Sequence, residues 1–241
     1  MNKILMLVII TLSLGTHGII VNAENHNINN LIVTMLYPYI KAEITNHYGY
    51  QKSFDLYNAV ILNTEKKSNY HYQVKILIKT FEHAHNPPYG DETITFDISL
   101  AGIKTIDFNH KADKYEALIK EFYYETITDI KESFNLNLNN YQLYNYSQII
   151  HLAHTNENYQ SLYKIVEDIV KNKLKYNTVA GYKNVIEPVT YIKANNSYIL
   201  YKLTDGTNVI NIVQKSNDNW IVKQILFQQG KKMAYKLKWY M

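Results

Sequence analysis

Cysteine is absent from the 241-residue chain, and so is arginine, since all 25 basic residues are lysine. Without cysteine there is no disulfide framework, no thiol nucleophile and no lipid attachment through a terminal cysteine, so stability rests on packing. The missing arginine, beside abundant Lys, Asn, Ile and Tyr, reads as codon usage in an AT-rich genome. Strong charge of one sign is also lacking: 25 Lys face 21 acidic residues, for a formal net charge of +4, and the two signs are mixed along the chain. That balance speaks against nucleic-acid binding. There is no Gly-x-Ser-x-Gly elbow, no His-Glu-x-x-His helix and no phosphate-cradling Gly-rich loop. No catalytic residue and no cofactor is therefore assigned.

The one long hydrophobic run lies at the N-terminus. Lys3 precedes an almost unbroken apolar stretch from Ile4 to Leu14, and Val21-Asn22-Ala23 places small residues where a signal peptidase reads. The pattern predicts a signal peptide over 1–23, cleaved after Ala23, and a secreted or extracytoplasmic product. A retained anchor is the alternative, but the run is shorter than the ~20 residues of a spanning helix. No second apolar run follows, so no stable membrane span is expected after cleavage.

With 46% apolar residues the chain can bury a core. Leu31, Ile32, Met35, Leu36, Ile40 and Ile44 follow helical spacing, with Pro38 inside the pattern predicting a kink or restart and Gly49 ending it. Strict alternation over Tyr70–Phe81 places Tyr70, Tyr72, Val74, Ile76 and Ile78 on one face, opposite His71, Gln73, Lys75 and Lys79. Thr93–Leu100 repeats it, with Ile94, Phe96, Ile98 and Leu100 inward. Such strands belong to antiparallel sheet with one wet face. Asn86-Pro87-Pro88-Tyr89-Gly90 between them predicts a turn, with Gly90 in a φ region closed to other residues. Ala112–Phe134 carries a long apolar stripe, and the Asn-rich stretch 135–140 reads as a boundary.

Beyond it, Tyr144–Ala153 and Tyr159–Leu174 read as helices. Val189–Lys193, Tyr198–Leu203, Asn208–Gln214, Trp220–Phe227 and Met233–Trp239 follow as short strands with hairpin loops, an antiparallel meander. The fold class is α+β: two small helix-plus-antiparallel-sheet rolls over 30–139 and 141–241, compatible in element order with cystatin-like or nuclear-transport-factor-2-like rolls.

The stretch from Thr80 to Phe96, together with Leu36-Tyr37-Pro38-Tyr39-Ile40, Tyr48-Gly49-Tyr50 and Asp55-Leu56-Tyr57, resembles the signature of domain of unknown function 3888. The resemblance runs over roughly residues 31–139. It implies export from a low-GC Gram-positive bacterium and a small α+β domain, and it implies no activity. Residues 141 onward resemble nuclear-transport-factor-2-like rolls only loosely.

Two candidate sites arise around the double proline. On a continuing strand His83 and His85 project from one face, and Asp91 or Glu92 across the turn completes a possible divalent-metal set of His83, His85 and Glu92. The bland account is a solvated His83 and a His85 bonded to turn backbone, and the nearby lysines oppose a cation. The second candidate is a binding loop of His85, Asn86, Pro87, Pro88, Tyr89 and Gly90, with Tyr89 as anchor; turn chemistry alone also accounts for these residue types. Most of the 23 tyrosines sit at periodic positions and read as core and sheet packing. His151 and His154, three apart on a possible helix, read as surface histidines. The preferred function is a non-catalytic binding module whose partner is an envelope protein, a peptide or a wall component. The rival is an extracytoplasmic metal-dependent hydrolase at His83, His85 and Glu92.

Overall fold

The computed structural model describes residues 27–82, 85–174, 186–203 and 205–232. The predicted signal peptide, His83 and the predicted strand Met233–Trp239 lie outside the described residues. The α+β class stands: helices accompany two antiparallel sheets, one of order β1-β2-β3-β4 and one of order β5-β6-β7-β8-β9. The described residues fall into two compact units, 27–43 with 54–79 and 91–110, and 44–53 with 80–90 and 111–232.

Helix α1 covers 27–48 and passes through Pro38 without restarting there. The physical reason is position: Pro38 is exposed, so the carbonyl it leaves without an amide partner faces water. Helix α1 is followed by β1 (Ser53–Ser68), β2 (His71–Glu82), β3 (Asn86–Ser99) and β4 (Gly102–Ala112). In the first unit Val33, Leu36 and Ile40 of α1 are buried, as are Val74, Ile76 and Ile78 of β2 and Ile94 and Phe96 of β3. The alternation of β2 and β3 is thus real, but it ends sooner than expected. Tyr70 sits in the turn before β2 at φ 60°, and Leu100 sits in the turn after β3; both are exposed. On the wet face His71 Nε2 lies 2.8 Å from Asp97 Oδ1, and Gln73 also donates to that carboxylate. The hydrogen bond from His71 is the main cause holding the Asp97 carboxyl below its ordinary value.

The second unit is built from α2 (Lys114–Ser133), β5 (Gln142–Tyr144), α3 (Tyr146–Thr155), α4 (Gln160–Asp168) and strands β6 (Val189–Lys193), β7 (Asn196–Lys202), β8 (Thr207–Ser216) and β9 (Asn219–Gln229). A 3-10 turn at Glu157–Tyr159 joins α3 to α4, which continues in wider π-type turns over Ile169–Leu174. The helix starts are locally encoded. Asp113 accepts from the amides of Tyr115 and Glu116, and Asn145 and Gln148 form a reciprocal capping box at α3.

The middle strands of this sheet, β6 to β8, are buried on both faces. On one face Ile192, Ile199, Tyr201, Val209, Val213 and Trp220 pack with Ile149 of α3 and Leu162 and Val166 of α4. On the other, Val189, Tyr191, Leu200 and Ile210 pack with Ile130 of α2 and Leu138. Helix α2, read in the sequence as the end of the first domain, therefore packs on the second sheet. Two-sided cover explains why β6 and β7 are nearly continuous apolar runs rather than alternating ones. Burial also raises the Tyr201 hydroxyl to about 12, with Asp168 adding to the shift.

Candidate functional site

The double-proline segment is not a turn. Asn86-Pro87-Pro88-Tyr89-Gly90 forms the first residues of β3, with Pro88 and Gly90 buried and a cis peptide between Pro87 and Pro88. Gly90 does not take a positive φ; the left-handed residue is His85, at φ 62°. The predicted exposed anchor is also tied down. Tyr89 is half-buried, its hydroxyl donates to the His85 carbonyl at 2.5 Å, and its own carbonyl accepts from Asp113 N at 3.0 Å. The His85 ring stacks on Phe81, with centroids 3.9 Å apart. Strand β2 ends at Glu82, so the continuing strand assumed for His83 and His85 is not present at His85.

Glu92 takes a separate place. It is fully buried, and both carboxylate oxygens lie 3.0 Å from Nδ1 of His110 on β4. A carboxylate removed from water needs such a partner. Among the described residues no group of three or more His, Asp or Glu is placed to hold a metal ion. Asp91 lies 3.6 Å from Lys79 as a surface ion pair.

The structure instead forms a cleft of about 480 Å³ within the second unit. One wall is the segment 50–53 with Glu82; the other is the face of α3 that carries Ser147, Ile150, His151 and His154. Its floor is an ion pair. Lys52 is buried, with Nζ 3.0 Å from Glu82 Oε1 and 4.3 Å from the centroid of the Tyr48 ring. Tyr50 donates its hydroxyl to the same Glu82 oxygen at 2.9 Å. A buried ammonium is tolerated only when so compensated. The walls are cross-linked by Gln148, whose Nε2 donates to the Tyr48 carbonyl at 2.8 Å. Gly49, at φ 73°, permits the reversal after α1 that brings Tyr50 and Lys52 to the cleft.

None of Tyr50, Lys52, Glu82, His151 and His154 is a predicted site residue, although His151 and His154 carried a legible signal. Ser147, His151 and His154 follow the i, i+4, i+7 spacing of one helical face. Nothing in local sequence pairs that face with Lys52, about a hundred residues earlier.

Residues 28–112 match the family model described as Protein of unknown function (DUF3888). The match covers α1 from its second described residue and all four strands of the first sheet, and it ends short of α2 and of the expected limit at 139. Within the matched residues lie Tyr50, Lys52 and Glu82; α3 lies outside them. No curated protein and no solved structure matches the chain. No described helix is long and apolar enough to cross a membrane.

Proposed function

We propose that this is an exported protein, released from a signal peptide after Ala23, that acts as a non-catalytic binding module at the cell envelope or outside it. The cleft bounded by Lys52, Glu82 and α3 supports that reading: it combines a fixed ion pair with polar groups that point into open space. Its volume of about 480 Å³ falls within the roughly 300–1,000 Å³ of small-ligand sites. The segment His85–Gly90, tied down through Tyr89, does not line the cleft.

Catalysis by a metal-dependent hydrolase at His83, His85 and Glu92 draws no support from the described residues, since Glu92 is turned to His110. The test is co-sedimentation of the purified protein with isolated envelope material, comparing wild type with His151→Ala/His154→Ala and with His85→Ala/Tyr89→Ala. Wild type is expected in the pellet, and the α3 double variant in the supernatant. Equal sedimentation of wild type and the α3 variant, or none by either, overturns the reading.

A further inference from the structure

We infer that the cleft takes an uncharged, hydroxyl-rich ligand with the chemistry of a short glycan; this rests on the reading of the cleft as a binding site. Charge comes first. Among the described residues that line it, the only Lys, Asp or Glu are Lys52 and Glu82, which face each other at 3.0 Å. An ionic ligand entering here gives up hydration and meets no free counter-charge, a costly exchange. A neutral ligand avoids that cost.

The remaining polar groups suit hydroxyls. Ser147 and the imidazoles of His151 and His154 line one face of α3, and no hydrogen bond among the described residues engages their side chains. A serine hydroxyl donates and accepts, and a neutral imidazole does each at a different ring nitrogen. The Gln51 side chain opposite offers an amide with both functions. Groups of two-way capacity pair with sugar hydroxyls, which are themselves donors and acceptors. Purely cationic or purely anionic partners leave half of that capacity unused. The ring of Tyr50 supplies the amphipathic wall against which the apolar face of a sugar packs.

The probes are fully N-acetylated chitotriose, cellotriose and maltotriose as neutral trisaccharides, and trigalacturonic acid as an anionic one of equal length. Binding is measured by titration calorimetry on the purified protein at about pH 7.5, above the ordinary histidine value. At least one neutral trisaccharide is expected to bind, about tenfold or more tighter than trigalacturonic acid. Ser147→Ala and His154→Ala are each expected to weaken it about fivefold, as for one lost hydrogen bond. His154 is exposed, so its variant keeps the fold, which an unchanged melting temperature confirms.

Trigalacturonic acid binding as tightly as the neutral sugars overturns the inference. So does binding by none of the three neutral probes, or binding indifferent to both substitutions. If the protein still sediments with envelope through α3 while no neutral trisaccharide binds, the binding-module reading stands and this inference falls.

Discussion

Lys202 Nζ lies 2.5 Å from Oδ2 of Asp129, and the lysine is 1% exposed. Around this pair the second unit closes on itself. Lys202 also donates to the Lys231 carbonyl at 2.8 Å, and Asp129 accepts from the Lys231 amide and from Asn208 Nδ2. One ion pair thus joins α2, β7, β8 and the residues after β9.

Removing either partner leaves a buried charge alone. Lys202→Met or Asp129→Leu is expected to cost about 3–5 kcal/mol, and the double replacement much less than the sum. Urea unfolding of the two single variants and the double variant measures this directly; additive losses count against the coupling.

Acid should open the same lock. Burial pushes the Asp129 carboxyl upward, but hydrogen bonds from Lys202, Asn208 and the Lys231 amide outweigh it, and the net shift is downward from 3.8. A carboxyl depressed in the folded state contributes stability that is complete above its unfolded value and lost as pH falls through the folded one. Melting temperature should therefore drop below about pH 4, and Asp129→Asn should flatten that part of the profile. An unchanged slope in the variant refutes the assignment.

Gly230 is required for space rather than for backbone conformation. A Cβ there meets the Asn208 amide nitrogen and comes 2.6 Å from Asp129 Oδ2. Gly230→Ala is expected to destabilise by about 1–3 kcal/mol through overpacking. A melting temperature equal to wild type contradicts it.

Trp220 anchors β9. It is 4% exposed, its Nε1 donates to the Asn158 carbonyl at 3.0 Å, and its ring stacks near Tyr159. Trp220→Ala should cost about 3–5 kcal/mol, and Trp220→Phe, which keeps most of the apolar volume, less than half as much. Equilibrium denaturation orders the two, and a reversed order removes the packing argument.

Export is checked chemically. The mature product is expected to begin at Glu24, as read by intact mass and N-terminal sequencing of the extracellular and envelope fractions. An intact Met1 in those fractions refutes cleavage.

Where a segment's partners are close in sequence, its structure was legible. Strand β6 begins and ends where its apolar run and the turn residues after it place it, and α2 lies within the stripe read over Ala112–Phe134. Strand β4 and the short β5 were not legible. Ile103, Ile106 and Phe108 keep no two-residue period, and three residues are too few to show one. The double proline misled for a related reason: Pro87 and Pro88 forbid a helix but do not distinguish a turn from the opening of a strand.

The chain's own order of residues determined the α+β class, the caps, the buried stripes and the leader-like N-terminus, because each depends on neighbours within a turn or two. Tertiary structure alone decided that α2 covers the second sheet, that Glu92 meets His110, and that Lys52 and Glu82 floor a cleft walled by His151 and His154. Those are contacts across long loops. Their free energy comes from desolvating groups against partners that no local periodicity specifies.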